Sequence, residues 1–136
     1  MKYFSKKIKT EHGIFDSKSE YKRFLFLKQM EKAGEIKDLQ CQVPFEIIPK
    51  LTKNVVVHLK TKTKTVQRVD EKAAHYTADF CYYNKQGQYI ISEVKSKATA
   101  LARDYPLRKK LIKQKIQKHN QEVGFEDWVF EEYVTK

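Results

Sequence analysis

The sequence predicts a single α/β domain built around a mixed β-sheet that is flanked by helices. Its 136 residues are enough for one hydrophobic core but not for two domains of ordinary size. Helical and strand-like patterns follow one another in the order helix, strands, helix, strand, without repeats or low-complexity linkers. Hydrophobic residues make up 40% of the chain and charged residues 33%, which is typical of a folded protein rather than a disordered one.

The first helix is predicted to follow a basic segment. We expect residues 1–15 to form an N-terminal arm and residues 16–136 to form the folded domain. The helix should begin near Ser17 and run to about Ala33, because Gly34 supplies a stop signal.

Several strand-like segments come next. Leu39–Ile48 alternates, and Pro44 within it indicates an edge strand or a bend. Asn54–Asp70 has high β propensity and carries alternating lysines, so we expect an inserted basic strand or a protruding hairpin. Tyr76–Asn84 and Gln88–Ser96 read as two strands joined by a short turn.

A second helix is predicted to open at Asp104, a candidate cap, with Pro106 tolerated in its first turn. It should end near Asn120. A last strand is expected over Asp127–Val134.

The charge of the chain indicates its partners. The formal net charge is +11 and the isoelectric point about 9.6, which favours nucleic acid first and an anionic membrane second. No apolar run approaches the length of a transmembrane helix, and no signal peptide is recognisable, so we expect a cytoplasmic protein with no membrane partner. Two cysteines and four scattered histidines exclude a zinc site of the usual spacing.

The predicted hairpin brings two acidic residues together. Its connection, residues 85–87, suits a three-residue loop that ends on a glycine of positive φ. That loop pairs Asn84 with Gln88, and the same register places Asp79 directly opposite Glu93.

Lys95 should lie on the same face as the two carboxylates, while Val94 points into the core. Facing carboxylates repel unless a cation lies between them, and Mg²⁺ or Mn²⁺ with oxygen ligands would serve. Such an ion can promote phosphodiester hydrolysis. The alternative is a surface hairpin in which Lys95 merely pairs with Asp79 and Glu93. The apolar setting of these strands favours the site, because opposed charges are costly in buried strands.

These residues carry a resemblance to a known group of enzymes. Asp79 in Thr-Ala-Asp-Phe, followed by Glu93-Val94-Lys95, resembles the bipartite signature of the PD-(D/E)XK nuclease superfamily, with Ala78 in place of the motif's proline. The resemblance implies a restriction-endonuclease-like core of order αβββαβ, in which residues 50–70 are an insertion.

Further elements narrow the resemblance. Ser17-Lys-Ser-Glu20-Tyr, Ala33-Gly-Glu-Ile36 and Asp104-Tyr-Pro-Leu-Arg-Lys-Lys-Leu111 are similar to those of a family of small phage-encoded nucleases, proposed to act on recombination intermediates such as Holliday junctions. The resemblance implies that Asp79 and Glu93 hold the metal with the backbone carbonyl of Val94, that Glu20 assists, and that Lys95 is the catalytic cation. Ser17-Lys-Ser-Glu20 is also a capping box, so Glu20 could instead only cap its helix.

The expected activity is therefore a metal-dependent endodeoxyribonuclease acting on branched DNA, as a homodimer because resolving a junction needs two sites. The alternatives are a nuclease of linear duplex or single-stranded DNA, and an inactive nucleic-acid-binding module. The cations expected to contact the DNA backbone are Lys97, Arg103, Arg108, Lys109, Lys60, Lys62 and Lys64.

Overall fold

The computed structural model describes residues 7–96 and 104–135, which form two helices and eight strands. The helices are α1 (Lys18–Lys32) and α2 (Tyr105–Val123). The strands are β1 (Ile8–Thr10), β2 (Gly13–Phe15), β3 (Lys37–Ile48), β4 (Leu51–His58), β5 (Thr63–Glu71), β6 (Ala74–Tyr83), β7 (Tyr89–Ser96) and β8 (Trp128–Thr135).

A four-stranded sheet of order β3-β6-β7-β8 forms the centre of the molecule. Its first three strands are antiparallel, and β8 joins β7 in parallel, so the sheet is mixed. Neighbouring residues of β6 serve two cores: Phe80 packs with Leu27 of α1, and Cys81 packs with Ile112 of α2. The predicted fold class, a single mixed-sheet α/β domain flanked by helices, is confirmed.

Both helices begin where the sequence indicates. The Ser17 hydroxyl accepts the Glu20 backbone N–H at 3.1 Å, and α1 ends ahead of Gly34, whose φ is +81°. Asp104 occupies the cap position of α2 but makes no side-chain capping bond. This helix runs three residues beyond the predicted end at Asn120, because the left-handed Gly124 rather than the asparagine terminates it.

Residues 8–15 of the predicted N-terminal arm are folded. Strands β1 and β2 form a small antiparallel hairpin, and Phe15 is 5% exposed. Its ring lies 5.0 Å from that of Tyr21 and 4.9 Å from that of Phe24. The prediction of an arm was based on the positive charge of this segment and did not consider Phe15, which packs against α1. It is therefore wrong for residues 8–15.

Strand β3 lies at an edge of the central sheet, as Pro44 indicates. The inserted segment is a hairpin rather than one strand: β4 and β5 pair only with each other, from Leu51–Glu71 to His58–Thr63. Neither helix in the described part of the chain is long and apolar enough to cross a membrane.

Candidate functional site

The candidate site lies where two central strands separate. β6 and β7 pair from Tyr83–Tyr89 to Phe80–Ser92, which is the predicted register. The tight loop that fixes it includes Gly87, at a φ of +82°. The ladder ends one pair before Asp79 and Glu93, because β6 continues beside β3 alone and β7 beside β8 alone. The two acidic residues therefore lie at a fork in the sheet, which we call the strand fork.

Asp79 bridges the strand fork. Its Oδ2 accepts the backbone N–H of Val94 at 2.8 Å, and its carboxylate lies close enough to Glu93 to raise the pKa of that carboxyl group. The Nζ of Lys95 lies 3.4 Å from the Oε1 of Glu93, on the predicted face. Val94 packs against the core on the other side of the sheet. Two carboxyl groups and one ammonium group thus converge at one point.

Glu93 is held in conditions that disfavour its charge. The residue is only 5% exposed, and burial raises the pKa of its carboxyl group, with the neighbouring Asp79 carboxylate adding to the effect and Lys95 opposing it. The pair therefore binds a proton far more readily than two separate carboxyl groups would. A divalent cation would compete for the same place.

Glu20 comes to the same region from the start of α1. Burial, together with the charges of Asp79 and Asp16, raises its pKa to about 7. The backbone of Glu20 takes part in the cap with Ser17, but its carboxylate faces Gln42, whose Nε2 donates to Glu20 Oε1 at 2.7 Å. Glu20 therefore has both predicted roles: its backbone N–H takes part in the helix cap, and its carboxylate lies beside the site.

Gln42 is the site residue that the sequence did not reveal. By the register of the flanking pairs it lies across from Asp79, and its Nε2 is 3.4 Å from Asp79 Oδ1. The amide nitrogen thus stands between two carboxylates, those of Glu20 and Asp79. Its backbone φ is +54°, a left-handed conformation that is uncommon for any residue but glycine. Nothing in the local sequence indicates this conformation, because asparagine, aspartate or glycine would be the usual signals.

Two tyrosines line the α2 side of the site. The hydroxyl of Tyr76 is buried and has no hydrogen-bond partner within residues 7–96 and 104–135. Burial, and then the charge of Glu93, raise its pKa strongly. The ring of Tyr105 lies 4.9 Å from the Nζ of Lys95, and its hydroxyl donates to Glu132. The buried Tyr76 hydroxyl therefore has an unused capacity for a hydrogen bond next to the acids of the strand fork.

The cations predicted near the cut fall into two groups. Lys97 and Arg103 lie outside the described residues. Arg108 donates to a backbone carbonyl of β6 at 2.7 Å, and Lys109 pairs with Glu132 of β8 at 3.0 Å. Both described cations thus tie α2 to the sheet in this structure.

The three lysines predicted on the inserted segment are not brought to the strand fork. Lys60, Lys62 and Lys64 are exposed in the separate β4–β5 hairpin.

The donor atoms at the strand fork suit a hard cation. Asp79 and Glu93 offer oxygen ligands, the kind that Mg²⁺ and Mn²⁺ bind, and the partnerless Tyr76 hydroxyl adds polar character. Among the described residues, however, no group of three or more His, Cys, Asp and Glu side chains is arranged as a ready-made metal site. The amide of Gln42 lies between the carboxylates of Glu20 and Asp79 and contacts both.

Comparison with known families places the chain. A family model described as a protein of unknown function, DUF1064, matches residues 1–130. The chain belongs to the DUF1064 family. No curated protein and no solved structure matches it. The match covers the strand fork of this DUF1064 protein together with both helices and strands β1 to β7, and it ends three residues into β8.

Proposed function

We propose that this DUF1064 protein is an endodeoxyribonuclease that depends on Mg²⁺ or Mn²⁺. The observation that carries the proposal is the meeting of Asp79, Glu93 and Lys95 at the strand fork, where the Asp79 carboxylate raises the pKa of Glu93 and the ammonium lies 3.4 Å from Glu93. Glu93 is buried and Asp79 is half-buried, and neighbouring like charges in such a place are costly, so their presence calls for a function. The net charge of +11 supports a polyanionic substrate.

The ion would be held by Asp79 and Glu93, with the backbone carbonyl of Val94 as a further ligand. When bound, it would supply charge neutralisation at the phosphate and a more acidic water. The Val94 N–H fixes the Asp79 carboxylate in place at 2.8 Å. Lys95 is positioned to stabilise negative charge that develops on the phosphate, and the ring of Tyr105 restrains it.

Glu20 would assist the reaction as a nearby carboxylate, and its burial and the charge of Asp79 set its pKa. Its pKa of about 7 means that it exchanges a proton near neutral pH. Gln42 holds it close to Asp79. We propose that Glu20 positions water or takes up a proton rather than acting as a permanent ligand.

The favoured substrate is branched DNA, cut by a homodimer in the cytoplasm. The chain is one domain with no separate recognition domain among its described elements, so readout of shape is favoured over readout of base sequence. Cutting two strands requires two active sites, which a dimer supplies. Cations of α2, Arg108 and Lys109 among them, would neutralise the backbone near the cut after release from their present partners.

A second candidate is a nucleic-acid-binding module without catalysis. One observation favours it: the described residues hold no cluster of three metal-ligating side chains. Against it stands the intact set of Asp79, Glu93 and Lys95, which a silent module has no reason to keep.

The test compares wild type with Asp79→Ala on labelled four-way junction, linear duplex and single strand, in Mg²⁺, Mn²⁺ or EDTA. Wild type should cut the junction in either metal, and the variant and the EDTA samples should not. Equal cutting of linear duplex overturns the preference for branches, and binding without cutting selects the silent module. Full activity of Asp79→Ala would mean that the site lies elsewhere.

A further inference from the structure

The β4–β5 hairpin stands apart from the rest of the fold. Its two strands form a sheet of their own and pack chiefly on each other, and most of their residues are exposed. A two-stranded hairpin is marginally stable by itself in water. Most of this ribbon, residues 51–71, is therefore open to a partner.

The charge of the ribbon is of one sign over most of its length. Between Asn54 and Val69 the sequence holds four cations and no acid: Lys60, Lys62, Lys64 and Arg68. The acids of the ribbon lie at its base, where Asp70 pairs with Lys53 at 3.5 Å. The outer part of the ribbon is thus cationic without internal compensation.

The pairing register places the two strand cations on one face, because Lys64 lies across from Val57 and Arg68 across from Lys53. The same face carries the half-buried Val55, Val57 and Val66. Lys60 and Lys62 lie in the turn between β4 and β5. The opposite face is uncharged when histidine is neutral and consists of the pairs Thr52–Val69, Asn54–Gln67, Val56–Thr65 and His58–Thr63.

We propose that the ribbon is an arm whose cationic face lies along the backbone of duplex DNA. This proposal rests on the proposed function and extends it to the DNA on either side of the cleaved bond. Alternate residues of a strand advance by about 6.8 Å, roughly twice the axial spacing of phosphates on one DNA strand. Lys64 and Arg68 lie two such steps apart on one face, a spacing that matches the charges of the backbone, and Lys62 extends the positive charge into the adjoining turn. A second copy of the ribbon is a poorer occupant, because two such faces repel each other.

The test measures binding rather than cleavage. Lys62→Ala/Lys64→Ala/Arg68→Ala is compared with wild type and with Lys22→Ala/Lys32→Ala/Lys37→Ala, which removes the same charge from exposed positions on α1 and the start of β3. Affinity for a labelled duplex is followed by fluorescence anisotropy in EDTA between about 50 and 200 mM salt. Circular dichroism confirms that each variant is folded.

The ribbon variant should lower the slope of log affinity against log salt by about 2.7, from about 0.9 for each lost phosphate contact. Across that fourfold range of salt, wild type should then lose about 40-fold more affinity than the ribbon variant. The control variant should change the slope by less than a third as much. Equal effects of the two triple variants overturn the proposal, because only the net charge would then matter.

Three further outcomes have defined meanings. Binding of wild type to anionic phospholipid vesicles but not to duplex overturns the arm as a DNA-binding element. If the ribbon variant loses duplex binding as expected while wild type cuts no DNA in Mg²⁺ or Mn²⁺, the ribbon inference stands and the nuclease proposal fails. If wild type cuts DNA and the ribbon variant binds with an unchanged salt slope, the nuclease proposal stands and the ribbon inference fails.

Discussion

The left-handed backbone of Gln42 gives the sharpest prediction. A non-glycine residue in this conformation costs about 1–2 kcal/mol, whereas glycine adopts it without a steric penalty. Gln42→Gly and Gln42→Ala both remove the amide that contacts Glu20 and Asp79, so the two variants differ only in the backbone term. Glycine loses more conformational freedom on folding, which offsets about 0.5–1 kcal/mol of the gain. The glycine variant should therefore be the more stable of the two by about 1 kcal/mol.

The assay is thermal unfolding in EDTA. For a chain of 136 residues, the usual unfolding entropy converts about 1 kcal/mol into about 4 °C of Tm. Both variants should be impaired equally in DNA cleavage, because both leave Glu20 and Asp79 without their shared donor. Gln42→Asn serves as a control, since asparagine tolerates the left-handed region. A Tm for Gln42→Ala equal to or above that of Gln42→Gly would show that the left-handed conformation at residue 42 has no steric cost. The contacts of the site would then not be needed to hold this conformation.

Four other predictions concern the strand fork. Asp79→Asn should raise the Tm of the metal-free protein near neutral pH by relieving the facing carboxylates, and should abolish the increase in Tm that Mg²⁺ gives wild type. Raised pKa values of Glu20, from 4.5 to about 7, and of Glu93 mean that the folded state favours their protonated forms. The stability that both contribute should be complete below pH 4.5; the part due to Glu20 should be lost as the pH rises through about 7, and the part due to Glu93 as it rises through about 9. Urea titrations without metal can check this, and a profile that Glu20→Gln leaves unchanged would contradict the assignment. Tyr76→Phe should stabilise the metal-free protein by about 1 kcal/mol, because it removes a buried hydroxyl without a partner, and a loss of similar size in urea unfolding would show that the hydroxyl is satisfied. Lys95→Ala should lower the cleavage rate by about 100-fold or more while DNA binding in EDTA changes little, and a rate within a few-fold of wild type would remove Lys95 from the chemistry.

The sequence was sufficient wherever one local rule governs the geometry. A glycine at the third position of a three-residue loop fixes the pairing of β6 with β7, so the approach of Asp79 to Glu93 and the shared face of Lys95 could be predicted from residue numbers alone. Gly34 marks the end of α1 for the same reason.

The sequence was insufficient where distant parts of the chain decide. Gln42 adopts its conformation because β3 and β6 hold it between Glu20 and Asp79, and no pattern of nearby residues encodes that arrangement. Asn120 was predicted to end α2. Its side-chain amide instead forms hydrogen bonds with the backbone of Asp127 and Trp128 and so fixes the start of β8. The folded state of residues 8–15 depends on Phe15 finding the aromatic rings of α1, a tertiary contact.

The parallel pairing of β8 with β7 has a consequence for biosynthesis. β7 carries Glu93 and Lys95, but its outer neighbour is the last strand in the chain. A nascent chain that has left the ribosome only as far as Gly124 holds every residue of the strand fork, yet it lacks Glu132, which holds Tyr105 and Lys109 on the sheet. Closure of the long connection between β7 and β8 must precede their pairing, and such nonlocal steps are slow. The contacts of Glu132 with Tyr105 and Lys109 therefore form only after β8 has been synthesised and has paired with β7.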